Sequence, residues 1–423
     1  MKILVLGSGA REHAIITSLL SEDDHHDVVV APGNAGIARV ARTVDLDPND
    51  PGVVTEWAIE NAVDLVVVGP EAPLIAGVAD PLRERGIAVF GPGKAAAQLE
   101  GSKTFAKRIM DEAGVPTGRA VRAGTLAEVE STIAQFGAPY VIKADGLAAG
   151  KGVIVTPDRE AALAHARYWL EHGPVLVEEF LGGPEVSLFL FSDGHDVLPL
   201  TPAQDFKRLL DGDEGPNTGG MGAYSPLPWL HDDFVDEVID TIALPTVRQL
   251  ESEGTPFIGL LYCGLVMTPR GIRVIEFNAR FGDPETQVVL ARLVTPLSTL
   301  LYAAATGTLA ALPRPEFALD VAVTVVIASE GYPENALTGR PIAGIEAAEA
   351  VSEVTVLHAA TAASATDAST LLATGGRVLS VVAVGSDFAE ARRRVYEAVG
   401  LIGLEGAQYR RDIAARVELP AQA

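Results

Sequence analysis

Ile142-Lys-Ala-Asp-Gly-Leu-Ala-Ala-Gly-Lys-Gly-Val153 is the stretch whose reading decides the architecture of this chain. Gly146 to Gly152 resembles a P-loop, but the glycine spacing is one residue short. Gly152 also stands where a Ser or Thr would hold Mg²⁺. The flanks decide between the alternatives. Tyr140 to Lys143 and Gly152 to Val155 both read as strands, so the glycines join two strands instead of opening a helix. Small residues there expose backbone N–H groups to an anion, and Lys143 and Lys151 add two positive charges. The stretch reads as a phosphate-cradling hairpin.

Working outward, the region from Ser102 to about Pro313 reads as α+β. It holds a helix at Ser102 to Ala113, strands at Val175 to Phe180, Val186 to Phe191 and Val197 to Leu200, and a Gly-rich segment from Gly212 to Gly222. A long helix at Asp232 to Glu251 and strands at Gly259 to Met267 and Gly271 to Asn278 follow. Upstream, short apolar runs alternate with helical patterns, the signature of an open parallel sheet with crossover helices. Lys2 to Leu6, Asp27 to Ala31, Leu65 to Val68 and Ala88 to Phe90 are its strands. Pro- and Gly-rich turns follow them, at the strand ends where open α/β sheets bind ligands. Downstream, strands at Val321 to Ala328, Val354 to His358 and Arg377 to Gly385 and a helix at Asp387 to Val399 form a small α+β domain. The expected division is 1–101, 102–313 and 314–423, with a mobile lid subdomain at about 115–192.

Composition narrows the function. The chain has 423 residues, and its net charge of −24 makes nucleic acid and anionic lipid poor partners. An anionic substrate then needs basic residues concentrated in a cleft. One cysteine, Cys263, allows no internal disulfide and fits a cytoplasmic setting. No targeting signal precedes the first strand, and the uncharged stretch Leu293 to Pro313 is too rich in Ala, Thr and Pro for a membrane span. Glu22, Asp23, Asp24, His25 and His26 read as a solvated turn, not a metal cluster.

Two further segments carry chemistry. Gly7-Ser-Gly-Ala-Arg-Glu12 begins like a dinucleotide fingerprint, but Glu12 replaces the third glycine and no acid ends the second strand. It suits a small phosphorylated ligand better than a nicotinamide cofactor. On Arg273 to Asn278, strand alternation puts Glu276 and Asn278 on one face, with Ile275 and Phe277 on the other. A carboxylate and an amide oxygen together suit a hard divalent cation. Arg280, Asp283 and Glu285 follow in a tight turn, an arrangement suited to a transferring phosphoryl group.

At this point a family resemblance emerges. GSGAREHA (Gly7 to Ala14), APGNAG (Ala31 to Gly36), GPEAPL (Gly69 to Leu74) and QLEGSK (Gln98 to Lys103) resemble glycinamide ribonucleotide synthetase, an ATP-grasp family. So do IKADGLAAGKGV (Ile142 to Val153), VEEFLGGPE (Val177 to Glu185), GPNTGGMGAYSP (Gly215 to Pro226) and EFNARFGDPETQ (Glu276 to Gln287), in family order over nearly the whole chain. The resemblance implies a central ATP-grasp fold of two α+β subdomains. It also implies ligation of glycine to 5-phosphoribosylamine with ATP consumed to ADP and phosphate, through a glycyl phosphate, in purine biosynthesis.

Residue by residue, the resemblance assigns Lys103, Lys143, Gly150 and Lys151 to ATP phosphates, Glu178 and Phe180 to adenine, and Glu185 to the ribose. Glu276 and Asn278 would hold Mg²⁺ (or Mn²⁺). Gly9, Arg11, Glu12, Asn34 and Glu71 would face phosphoribosylamine; Asp205, Lys207, Arg208, Asn217 and Asp283 would line the acceptor side. Arg280 would act at the reacting carboxylate. The expected state is a monomer or weak homodimer, without the fused later enzymes of some relatives.

The chain departs from the family pattern in four places. Ser8 and Ala10 replace the usual Asn and Gly, and Phe206 replaces a common His, so no general base rests there. Leu260 to Met267 supplies no second acid for a metal, and Ala360 replaces a common Gly. Another ATP-grasp ligase with a different acceptor is the near alternative. A nicotinamide oxidoreductase leaves the central lysines unexplained, and a non-catalytic nucleotide-binding regulator leaves Glu276, Asn278 and Arg280 idle.

Overall fold

The computed structural model describes residues 1–146 and 152–418; the expectations for Gly150 and Lys151 lie outside the described residues. The N-terminal apolar runs form a parallel sheet, all of whose pairings are in the same direction. Its order is Arg42–Thr43, Asp27–Pro32, Lys2–Gly7, Leu65–Val68, Ala88–Phe90. Ile3 to Leu6 are fully buried, as a strand covered on both faces must be. The order reverses at Lys2–Gly7, so the crevice of this sheet opens at Gly7.

Two antiparallel sheets build the central region. Ala120–Ala123, Val175–Glu178, Tyr140–Ala144 and Val153–Thr156 form one, in that order, and the expected hairpin strands on either side of Gly146 pair directly. Helices Leu126–Phe136 and Arg159–Leu170 cover it, giving a separate core that includes Val129, Ile133, Ile142 and Leu163. The second sheet runs Val197–Pro199, Glu185–Asp193, Ile258–Thr268, Gly271–Asn278. Residues 185–193 thus pair outside the sheet of the lid segment expected at about 115–192.

Two sequence expectations are corrected in this region. Asp232 to Glu251 is not one regular helix. Phe234–Val238 and Leu244–Ser252 are α-helical, with a π-helical turn at Ile239–Ala243 between them. Pro245 follows at once; having no N–H, it cannot donate back into the preceding turn, and a wider turn accommodates its ring. On Gly271–Asn278 simple alternation fails. Gly264 pairs with Glu276 and Leu265 with Val274, so Ile275 is the extra residue of a β-bulge. The face then resets: Ile272, Val274 and Phe277 enter the core, while Ile275 joins Glu276 and Asn278 on the cleft side.

The C-terminal sheet crosses the boundary expected at 313/314. Its order is Gln204–Asp205, Gly222–Ser225, Val321–Ala328, Arg377–Gly385, Val354–His358. Its first two strands come from the central region, Gly222 to Ser225 pairing with Val325 to Ala322. Among the described residues no helix is long and apolar enough to cross a membrane. The stretch 293–313 instead holds the helix Leu297–Thr306, ended by Gly307.

Candidate active site

A cleft of about 1270 Å³ lies between the two central sheets and reaches the N-terminal and C-terminal regions. Fourteen of the residues to which the family resemblance gives a site role line it: Glu71, Lys103, Lys143, Glu178, Phe180, Glu185, Asp205, Lys207, Arg208, Asn217, Glu276, Asn278, Arg280 and Asp283. They span residues 71 to 283, and their convergence is a tertiary fact.

Its basic side is built on buried pairs. Lys143 Nζ lies 3.2 Å from Glu178 Oε2 and donates to the Ile275 carbonyl at 3.2 Å. The bulge at Ile275 is what turns that carbonyl toward the lysine. Lys107 Nζ lies 3.2 Å from the same Glu178 oxygen and donates to Thr117 Oγ1 and the Gly118 carbonyl. Lys107 was not singled out from sequence. The signal was present, since it lies four residues after Lys103 on the helix Lys103–Glu112 and so shares its face. Lys103 donates to the Gly146 carbonyl at 3.1 Å, and burial lowers its pKa despite Glu276 nearby. Asp145 ties this helix to the hairpin, accepting from Ser102 Oγ and from Thr104 N and Oγ1.

Glu276 and Asn278 make no side-chain hydrogen bond among the described residues, although both line the cleft. Burial alone would raise the Glu276 pKa, but Lys207, Lys143, Lys103 and Arg280 outweigh it and hold the group below its ordinary range. An ionised carboxylate beside an unbonded amide fits a hard divalent cation. No group of three or more His, Cys, Asp or Glu side chains suited to a metal occurs among the described residues. Such a cation would therefore take its remaining ligands from phosphate oxygens and water.

Arg280 is held from two sides by the N-terminal region. Its Nη2 lies 3.0 Å from Glu100 Oε1, and its Nε lies 3.4 Å from Glu71 Oε2. Burial opposes its charge, but Glu100 and Glu71 raise its pKa above the ordinary arginine value. Glu100 also accepts the Ala279 N–H at 2.8 Å. Under this loop, Glu285 accepts from Tyr262 at 2.6 Å and from Ser187 at 3.0 Å, all three buried.

Elsewhere in the cleft, Lys207 pairs with Glu185 at 2.7 Å. Burial would lower the Lys207 pKa, yet Glu185 and Asp205 carry it well above the ordinary lysine value. Asp205 is pushed up to about 7 by burial, with Lys207 opposing and Glu285, Glu185 and Glu276 adding to the rise. Arg208 and Asn217 face each other across a two-stranded ribbon, Arg208–Leu210 with Glu214–Asn217, that the Gly-rich segment did not disclose. Phe206 carries the Arg410 guanidinium 4.8 Å from its ring, and Arg410 in turn binds Asp213, Asp412 and the Arg208 carbonyl.

Gly9, Arg11, Glu12 and Asn34 do not line the cleft. Glu12 accepts the Gly9 N–H and the Arg11 Nε–H, each at 2.5 Å, and is fully enclosed. A side chain at Gly7 (φ +130°) would come within 2.7 Å of Glu12. The carboxylate thus occupies the space that a third fingerprint glycine would leave open, which explains the departure at that position. Arg11 also donates to the Phe281 carbonyl at 3.1 Å, tying this turn to the Arg280 loop. Asn34 donates to Ser8 and His358 carbonyls and accepts the Gly36 and Ile37 N–H groups.

Comparison with known proteins follows the same outline. Sequence models for phosphoribosylglycinamide synthetase match residues 1–100 (N domain), 101–286 (ATP-grasp domain) and 322–416 (C domain). The chain is 74% identical to phosphoribosylamine–glycine ligase of Leifsonia xyli subsp. xyli over 417 residues, covering 98% of this chain and 100% of that one. It is 59% identical to the ligase of Streptomyces coelicolor over 418 residues, covering 98% and 99%. The crystal structure of the Thermotoga maritima ligase superimposes with a TM-score of 0.83 at 34% identity, covering 97% and 100%. A biotin carboxylase domain from Hydrogenobacter thermophilus, at 16% identity and TM-score 0.69 over 96% of this chain and 91% of that one, shares the fold.

Proposed function

This chain belongs to the phosphoribosylglycinamide synthetase family of ATP-grasp ligases, and from that premise we propose how its residues carry the reaction. The activity is ADP-forming ligation of glycine to 5-phosphoribosylamine, giving glycinamide ribonucleotide in purine biosynthesis. Glycine carboxylate is a poor electrophile at neutral pH. Transfer of the γ-phosphoryl group to it gives glycyl phosphate, whose phosphate leaves as the ribosylamine nitrogen attacks.

Lys143 and Lys103, with Gly150 and Lys151 of the hairpin, bind the ATP phosphates; Glu178 and Phe180 meet adenine, and Glu185 the ribose. A divalent cation, Mg²⁺ (or Mn²⁺), held by Glu276 and Asn278, would neutralise phosphate charge. Arg280 is the catalytic residue, its guanidinium fixed by Glu100 and Glu71 to meet charge developing on the glycine carboxylate. Asp205, Lys207, Arg208, Asn217 and Asp283 line the acceptor side, with Gly9, Arg11, Glu12, Asn34 and Glu71 toward the phosphoribosyl group. The sheet of residues 120–178, with its own core, serves as the lid. Residues 1–101, 102–313 and 314–423 are the three domains, the last sharing its sheet with the second. A buried lone thiol, Cys263, suits the cytoplasm, and the protein acts as a monomer or weak homodimer.

The single observation that carries this reading is the cleft itself. It brings the unbonded Glu276 and Asn278, the lysines on Glu178, and the clamped Arg280 into one cavity. ADP release measured with glycine and phosphoribosylamine each omitted in turn tests it. Full release requires both; release that persists without the amine acceptor at the full rate would point to another acceptor.

A further inference from the structure

We infer that Arg377, from the C-terminal region, is a positioning residue for the acceptor side of the site, acting through Asp283. This rests on the proposed reading that Asp283 faces the amine substrate. Arg377 opens the strand Arg377–Gly385 of the sheet that also carries Asp205 at its edge. Its Nη1 donates to the carbonyls of Gly219 at 2.6 Å and Asp283 at 2.7 Å, with Gly220 at 3.3 Å. The same nitrogen lies 3.4 Å from Asp283 Oδ1. One guanidinium thus joins two cleft-lining segments that are far apart in sequence.

The surroundings show that this junction is built to close tolerance. Gly220 has φ +112°, and a side chain there would come within 2.4 Å of Pro284. The Gly219–Gly220 turn therefore lies directly on the Asp283–Pro284 turn, with Arg377 bonded to both. Tyr332 OH accepts the Gly219 N–H at 2.9 Å, and its ring packs on Gly376, where a Cβ would stand 2.3 Å away. Gln287 Nε2 donates to Asp283 Oδ1 at 2.9 Å, fixing the carboxylate from the other side. Asp283 Oδ2 then faces the Gly9 turn, 3.8 Å from where a Cβ at Gly9 would lie. N-terminal turn, ATP-grasp loop and C-terminal arginine converge on one carboxylate. Burial would raise the Asp283 pKa; Arg377 is the chief group that brings it below its ordinary value.

A positioning role separates amine binding from nucleotide binding. In the full-length protein, Arg377→Gln is expected to raise KM for phosphoribosylamine about tenfold while ATP Kd stays within about twofold. Arg377→Lys is expected to recover only part of this, since its ammonium ends one bond short of the place Nη1 holds and sits on a more flexible stem. On an Asp283→Asn background, Arg377→Gln should add less than about a twofold change, because the two act as one unit. An unchanged amine KM in Arg377→Gln overturns the inference. So does an undiminished effect on the Asp283→Asn background, or an equal loss of ATP affinity. If Arg377→Gln does not fold, Arg377→Lys and Tyr332→Phe decide, and an amine KM unmoved in both overturns the inference. If Asp283→Asn alone leaves amine KM unchanged, the reading of Asp283 fails and this inference with it. If Asp283→Asn raises it and Arg377→Gln does not, only the role of Arg377 fails.

Discussion

Glu100 Oε1 lies 3.0 Å from Arg280 Nη2, joining a residue of the N-terminal region to the proposed catalytic arginine. The Glu100 side chain is only 7% exposed, and burial raises its pKa with Arg280 opposing. Its other bond, to the Ala279 N–H, fixes the loop on which Arg280 sits. An arginine aimed by two carboxylates is preorganised, and no reorientation is needed as charge develops.

Changing either member of that pair is therefore expected to act on turnover. Glu100→Gln keeps an acceptor for Ala279 but removes the charge beside Arg280, and kcat should fall about tenfold. Arg280→Lys keeps a charge but loses the fork, with a fall of about a hundredfold. Steady-state kinetics with ATP Kd measured alongside checks both; a loss confined to ATP binding would remove Arg280 from the chemistry.

Glu276→Gln preserves shape at the proposed metal site and deletes its one charge. Turnover is expected to fall at least about a hundredfold, with ATP Kd changing by less than about tenfold, because metal neutralisation matters most during transfer. Titration with Mg²⁺ should show the variant needing more metal. Wild-type turnover at saturating Mg²⁺ would exclude Glu276 from the site.

His13 and His358 give the fold an acid-side sensitivity. The His358 N–H donates to His13 Nδ1 at 2.9 Å, where N-terminal and C-terminal regions meet. Burial, then His358 and Arg39, lowers the His13 pKa to about 3; burial, then Arg39, lowers that of His358 to about 4. Unfolded histidine binds its proton near 6.5, so below that pH the unfolded chain holds more protons than the native one. Stability contributed by the neutral pair is complete above about pH 6.5 and is lost as pH falls toward 4 and 3. The slope approaches about 1.4 kcal/mol per pH unit for each histidine. Denaturation midpoints between pH 5 and 7.5 should show this loss. His13→Asn, which keeps an acceptor for the His358 N–H, should remove about half of this contribution to the slope. An unaltered slope in that variant would count against His13 as a source.

Transfer of phosphate to glycine leaves an isotopic record. Glycine labelled with heavy oxygen in its carboxylate should deliver one labelled atom to each phosphate released, read by mass spectrometry. Label found in AMP, with pyrophosphate as co-product, would indicate adenylation instead. Unlabelled phosphate accompanying the coupled product would defeat the glycyl phosphate route.

Local order was legible in the residues themselves. Val321 to Ala328, apolar but for Thr324, forms a fully buried strand with the expected ends. The β-branched runs on both sides of the Gly-rich stretch do form strands, and these pair with each other. Period and turn chemistry act over a few residues, and a linear reading captures them. The bulge at Ile275 escaped, since it depends on how Gly271–Asn278 pairs with a partner strand. Glu100 with Arg280, Lys107 with Glu178 and Arg377 with Asp283 escaped for a stronger reason. Each is a polar pair whose two members no local spacing links to one another, brought together by packing of apolar faces elsewhere. Most elements, the family and most of the cleft's residue types could be read along the chain, whereas the π-helical turn, the bulge and the two-stranded ribbon could not. Which charge meets which was a matter of packing. Hydrophobic burial sets where the elements lie, and the partners of a buried charge follow from that placement.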